Sequence, residues 1–160
     1  VVRWNEAQVA RGARPVEVRV ALNSGPVVVG DVGSSRRVDY TVLGVLEVDQ
    51  EGNLANYKIP GKLVPGMGGA MDLVAGSRVV IAATTHLEKS GASKLKRRCK
   101  LPLTAAREVN LVVTAVGYFE VMGDKFYLIE YFDPYTPEWI QEHTDADVVV
   151  MSTCHKCADL

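Results

Sequence analysis

The run Arg78-Val-Val-Ile-Ala-Ala-Thr-Thr85 constrains the fold more than any other stretch of this chain. It is rich in β-branched residues yet lacks the polar alternation of a strand with one wet face. That is the pattern of a strand covered on both faces in a mostly parallel sheet. Asn110-Leu-Val-Val-Thr114 reads the same way. Helix signals accompany these strands. Thr136-Pro137-Glu138 offers an N-cap, a proline at the first helical position and an acid in the first turn, predicting a helix to about Thr144. Residues 1–13 read as a further helix ending near Gly12, with Val2, Val9 and Trp4 on its apolar side. The mixture predicts an α/β fold, a mostly parallel sheet with flanking helices.

Other strands follow from local pattern. Val16–Leu22 alternates apolar and polar residues, Asn23-Ser-Gly-Pro26 is turn chemistry, and Val27-Val-Val29 is a short strand closed by Gly30-Asp31. Thr41–Val48 predicts one strand interrupted by Gly44, and Asp49-Gln-Glu-Gly52 a turn. Tyr118–Val121 and Phe126–Tyr131 predict a hairpin near a sheet edge, joined by Met122-Gly-Asp-Lys125. Asp147–Met151 predicts a last strand. With 160 residues, 48% hydrophobic and 23% charged, the chain suits one globular domain with a sizeable core.

Gly61, Gly66, Gly68 and Gly69 fall on one short path, which then enters Ala70-Met-Asp-Leu73, a first helical turn. Glycine loses the most entropy on folding, so such a cluster needs a steric reason. A sharp loop between strands is one. A backbone brought close to an anion or a developing oxyanion at a helix start is the other. No Gly-Lys-Ser/Thr ends the loop, so it is not a P-loop; Met71 stands where a dinucleotide fingerprint needs a third glycine, and no clean strand precedes it.

Four motifs carry a family resemblance: Val-Asp-Tyr-Thr-Val-Leu-Gly (38–44), Gly-Asn-Leu-Ala-Asn-Tyr-Lys-Ile-Pro-Gly-Lys (52–62), Gly-Met-Gly-Gly-Ala-Met-Asp-Leu (66–73) and Cys-Lys-Leu-Pro-Leu-Thr (99–104). With His86 also in place, residues 38–150 closely resemble the B-type subunit of the 3-oxoacid (acetate/acetoacetate-type) CoA-transferases, more loosely after Tyr118. The resemblance implies a ping-pong transfer of coenzyme A between carboxylic acids, in ketone-body or short-chain fatty-acid metabolism. A glutamate attacks the acyl-CoA thioester, giving a mixed anhydride and then an enzyme–CoA thioester. By the same resemblance the Gly69 N–H contributes to the oxyanion hole. The 53–62 segment lines the coenzyme A site with Asn56 and Lys62, and Gly66 and Gly68 of the glycine loop are coenzyme A-binding positions as well. Coenzyme A is a substrate; no covalent cofactor and no metal are implied. An A-type CoA-transferase subunit is implied as partner in a hetero-oligomer, with an acyl-CoA and a short-chain carboxylic acid as ligands.

The family's nucleophile lies in a Ser-Glu-Asn-Gly segment upstream of the glycine loop, and that segment does not occur here. Glu47 sits in a strand that carries an acid in the family without being the nucleophile. Residues 16–44 instead resemble the middle of a class III nucleotide cyclase catalytic domain, which divides the chain into a cyclase-like 1–37 and a transferase-like 38–160 that meet over Val38–Gly44: a chimera. Thr41 takes the place of a base-selecting residue. The cyclase metal aspartates and its transition-state Asn and Arg are missing, so neither cyclase activity nor ATP binding is expected, and Asp31 reads as a turn residue. The expectation is a transferase inactive alone for want of its glutamate. The alternative is a non-catalytic acyl-CoA-binding or interaction domain, and the third a cyclase remnant.

The remaining features take plainer readings. Cys154-His-Lys-Cys157 supplies at most three zinc ligands and reads as a frayed tail. Cys99 reads as a packed apolar side chain. Lys94-Leu-Lys-Arg-Arg-Cys-Lys100 reads as a solvated loop, and His86 as a structural histidine. A net charge of −1 argues against nucleic acid or an anionic membrane as partner. No apolar run has transmembrane length, and the N-terminus is no signal peptide. Three cysteines without a signal point to free thiols in a reducing cytoplasm, and the missing initiator Met fits a fragment.

Overall fold

The computed structural model describes residues 38–59, 61 and 69–157. The expected helix over 1–13, the strands at 16–22 and 27–29, Asp31, and the site candidates Lys62, Gly66 and Gly68 lie outside the described residues.

Six strands form the main sheet: β1 (Val38–Gly44), β4 (Ser77–Ala83), β6 (Val109–Val113), β7 (Gly117–Met122), β8 (Lys125–Tyr131) and β9 (Val148–Lys156), side by side in that order. The run at 78–85 becomes β4, parallel to β1 on one side and to β6 on the other. β6–β7 and β7–β8 are antiparallel, and β8–β9 is parallel again. The sheet is thus mostly parallel, as expected. Its faces are unequal, however: Val80 and Ala82 of β4 are buried while Ile81 and Ala83 are half-buried, and Val42 of β1 is 56% exposed. A β-branched run therefore marked the parallel strand correctly but overstated its cover.

Between β1 and β4 the chain makes β2 (Glu47–Asp49), β3 (Leu54–Ala55) and helix α1 (Ala70–Gly76). The single strand expected over 41–48 is two strands in two sheets. β2 lies between β3 and β5 (Leu95–Lys96), antiparallel to the first and parallel to the second. Val45 N still donates to Ala83 O at 3.2 Å, whereas Leu46 N donates to Ala55 O at 2.8 Å. The chain changes sheets at that peptide. Val48, Leu54 and Leu95 join Leu43, Val80, Val112, Phe119, Phe126 and Leu128 in one core with Val74 of α1. Each fully buried leucine or phenylalanine contributes about 1.5–3 kcal/mol relative to exposure.

Local chemistry explains the irregular points. The β4–β6 register shifts between Val80 and Ile81, and there the Asn110 side-chain oxygen accepts from Val80 N at 2.8 Å, standing in for a ladder carbonyl. Gly123 and Asp124 both have positive φ between the paired Met122 and Lys125, a two-residue hairpin turn of the twist that antiparallel strands prefer. Helix α2 (Pro137–Glu142) begins as its sequence predicts, with Thr136 Oγ1 accepting from Trp139 N at 3.3 Å. It stops short of Thr144, whose hydroxyl donates to Ile140 O at 2.6 Å. The last strand runs to Lys156, beyond Met151, so Cys154-His-Lys is strand and not a frayed tail. Pairing with β8 orders it: Glu130 faces His155 and Tyr131 faces Lys156, after a register shift between Leu128 and Glu130.

Candidate active site

Two of the family-like motifs, distant in sequence, come together in space. Strand β2 presents Glu47 and Asp49, both buried, to the segment 99–101. Glu47 Oε2 accepts from Lys100 N at 2.8 Å and from Leu101 N at 2.9 Å. Asp49 Oδ2 accepts from Cys99 N at 2.9 Å and from Asn53 Nδ2 at 3.0 Å, while Oδ1 takes the N–H groups of Glu51 and Asn53. Asn53 Oδ1 in turn accepts from Arg107 N at 3.1 Å. A buried carboxylate is tolerated only when its lone pairs are used, and both of these carboxylates are engaged. Glu47 is thereby tied to two amides, which suits a structural acid rather than a nucleophile.

The same clamp delivers Asn56. Leu54 N donates to Ala105 O at 3.0 Å and Leu54 O accepts from Thr104 N at 2.8 Å, which brings the two segments alongside each other. Asn56 N then donates to Thr104 Oγ1 at 3.1 Å, and that hydroxyl donates to Asn56 Oδ1 at 2.7 Å. Gly52 precedes this path at φ +82, and a Cβ there would meet Val109 O at 3.0 Å, so both conformation and space demand glycine. The sequence singles out Asn56 but not Glu47, Asp49, Asn53 and Thr104 as its supports. Asn53 and Thr104 lie within the motifs 52–62 and 99–104, whereas Glu47 and Asp49 lie between motifs and carry no such signal.

Gly69 stands directly before α1 with φ −83 and ψ 15, and its carbonyl accepts from Leu73 N at 3.0 Å. No side chain caps this helix, and Ala70 and Val74 bury it against the core. Among the described residues no hydrogen bond joins Gly69 to the Asn56 cluster.

His86 is buried, 2% exposed, with its ring stacked on Phe119 at 6.0 Å and tilted against Trp139 at 6.2 Å. Its Nε2 lies 3.0 Å from Thr144 Oγ1. The Thr144 hydrogen is committed to Ile140 O, so Nε2 carries the proton and Nδ1 is the bare atom. Nδ1 has no partner among the described residues. Burial pulls the imidazole down to about 4, so it stays neutral near neutrality. This is a core histidine linking the end of β4 to α2, the structural role its sequence context suggests.

The cysteines are equally quiet. Burial, then the Asp49 and Glu47 charges, push the Cys99 thiol well above the usual range, and its Sγ lies 3.7 Å from Asn53 O. Burial and Glu130 raise Cys154. Among the described residues no cluster of His, Cys, Asp and Glu could hold a metal ion. In the basic run, Lys96 is buried 3.8 Å from Glu88 and Arg97 lies 3.0 Å from Asp147, while Arg98 and Lys100 are exposed.

The model of the coenzyme A transferase family matches residues 1–143. The chain belongs to the coenzyme A transferase family. It is 50% identical over 113 residues to the beta subunit of the acetate CoA-transferase of Haemophilus influenzae, a match covering 71% of this chain and 51% of that protein. It is 41% identical over 114 residues to the beta subunit of a probable coenzyme A transferase of Bacillus subtilis, covering 71% and 52%. The chain thus spans about half the length of the curated relatives it matches. Its fold resembles that of an acyl-CoA transferase from Escherichia coli O157:H7 solved as a thioester complex with CoA, with a TM-score of 0.63 at 24% identity over 75% of this chain and 28% of that one. The family match starts at residue 1 and runs through residues 38–44. The cyclase resemblance over residues 16–44, and the chimera built on it, therefore find no support. No helix among the described residues is long and apolar enough to cross a membrane.

Proposed function

We propose that this chain is the acyl-CoA-binding part of a B-type CoA-transferase subunit. It would hold coenzyme A through the segment containing Asn56 and Lys62 and polarise the thioester carbonyl with the Gly69 N–H, flanked by Gly66 and Gly68. The observation that carries this reading is the clamp of Glu47, Asp49 and Asn53, which joins the 52–56 and 99–104 motifs around Asn56. A pre-positioned N–H at the developing oxyanion contributes about 3–4 kcal/mol of barrier reduction in acyl transfer.

The reaction needs a carboxylate nucleophile that attacks the thioester carbon and expels the CoA thiolate. The Ser-Glu-Asn-Gly segment is not in this sequence, and Glu47 is tied to Lys100 N and Leu101 N. These 160 residues alone are therefore proposed to be inactive, and an A-type subunit is the proposed partner. Incubation with acetoacetyl-CoA and succinate should give no succinyl-CoA; its formation would overturn the missing-nucleophile argument. Calorimetry with coenzyme A should show micromolar binding, and a flat titration would remove the acyl-CoA site itself.

A further inference from the structure

We infer that Thr104 is a positioning residue for the acyl-CoA: it orients the Asn56 carboxamide so that the Nδ2 hydrogens are presented to an acceptor oxygen of the ligand. This rests on the reading that Asn56 contacts the acyl-CoA. What each group can donate fixes the arrangement. Thr104 is 5% exposed and its hydroxyl has one hydrogen, which goes to Asn56 Oδ1 at 2.7 Å. The hydroxyl oxygen meanwhile accepts from Asn56 N at 3.1 Å. Backbone and side chain of Asn56 are thus both held by one atom, closing a small ring that fixes the side-chain torsions.

The direction of the carboxamide follows. Were it turned over, Nδ2 would face Thr104 Oγ1 and the buried hydroxyl hydrogen would have no acceptor, a cost the observed arrangement avoids. With Oδ1 facing inward, Nδ2 faces away. Among the described residues no acceptor takes its hydrogens, and Asn56 itself is only half-buried. A half-exposed amide whose oxygen is committed and whose nitrogen meets no acceptor among the described residues is a donor for a ligand oxygen. An acyl-CoA is rich in such oxygens, in its pantetheine amides, its thioester and its phosphates. The backbone behind Thr104 is also fixed, by Leu54 O accepting from Thr104 N at 2.8 Å. Holding the donor ready spares the ligand the cost of ordering it.

The test is coenzyme A titration by calorimetry on the full 160-residue chain. Thr104→Val keeps the shape and removes the hydroxyl; it should weaken binding about 2–10-fold, the effect of one neutral hydrogen bond. Thr104→Ser should restore it. Asn56→Ala should weaken binding at least as much, and adding Thr104→Val to Asn56→Ala should then change nothing, because the threonine acts through the asparagine. A merely structural Thr104 would weaken both backgrounds equally, which would overturn the proposal, as would wild-type affinity in Thr104→Val. If Thr104→Val does not fold, the side-chain amide protons of Asn56 decide by NMR. They should shift on saturation with coenzyme A, and unmoved resonances beside a binding isotherm would overturn the inference while leaving the CoA site standing. A wild-type chain that binds no coenzyme A would instead bring down the proposed function, and the inference with it.

Discussion

The main sheet and the small three-stranded sheet satisfy their backbones by opposite means. In the main sheet, neighbouring strands satisfy one another through long ladders, and side chains intervene at breaks such as Asn110 and Thr114, whose Oγ1 accepts from Val116 N and Gly117 N at 3.2 and 3.3 Å. In the small sheet β3 and β5 have two residues each, and buried side chains of β2 and its turn take the place of missing strands. The lesson is one of risk. A ladder spreads its load over many weak bonds, whereas a carboxylate with several donors concentrates it in one residue. Two of the four family-like motifs, 52–62 and 99–104, lie where the load is concentrated, which holds Asn56 at the cost of tolerance, whereas 38–44 is a strand of the main sheet.

Asp49 is the place to break this contrast. Asp49→Ala would leave the N–H groups of Glu51, Asn53 and Cys99 and the Asn53 amide without their acceptor in a buried site. We expect a loss of about 3–5 kcal/mol, read by urea unfolding. A loss under about 1 kcal/mol would mean that the small sheet does not depend on this carboxylate.

His86 offers the next largest effect and tests the junction between β4 and α2. Its folded pKa of about 4 lies below the ordinary 6.5, so the unfolded chain binds the proton more readily. The contribution is complete above about pH 6.5 and falls away as pH drops through 6.5 towards 4. The difference is about 3 kcal/mol in all. Besides Thr144, the neighbouring His143 acts on the group, its backbone favouring the proton and its charge opposing it. His86→Gln should flatten stability between about pH 4 and 6.5 relative to wild type, measured by denaturant unfolding at each pH. An unchanged slope would mean that His86 does not set the acid sensitivity of the fold.

What could be read in the sequence divides along the same line. The hairpin around Gly123-Asp124, the Thr136 cap and the parallel strand β4 were legible because each is set by residues within a few positions. The split of 41–48 into two sheets was not, because it depends on β3 and on Lys94, whose carbonyl takes Val48 N. The order of Cys154–Lys156 was hidden for a like reason: a short polar tail looks frayed until β8 pairs with it. At the site, resemblance singled out Asn56 and Gly69. The clamp that holds Asn56 spans Glu47 to Arg107, and no local rule links those residues.

Gly117 asks the reverse question, whether the main sheet has its own single point of failure. A Cβ there would lie 2.7 Å from Glu130 O and 3.0 Å from Leu128 Cδ1. The carbonyl belongs to the β8 ladder and cannot retreat alone. Gly117→Ala should cost about 2 kcal/mol through overpacking, seen as a fall in melting temperature with coenzyme A affinity of the folded chain unchanged. A loss of affinity without a loss of stability would break the separation between the two sheets.

The smallest effect is expected at Thr136, where a local device meets the shared core. Thr136→Ala removes the acceptor for Trp139 N and should cost about 1 kcal/mol. The helix has 6 residues, too few to persist unless packed, and Ile140 and Trp139 pack it against the core beside His86. The cap and the histidine therefore act on one element, and their effects should not be independent. Thr136→Ala combined with His86→Gln should deviate from the sum of the two single losses by more than about 0.5 kcal/mol, whereas Thr136→Ala combined with Asp49→Asn should add. Strict additivity in the first pair would mean that His86 stabilises β4 alone and that α2 is held by Ile140 without it.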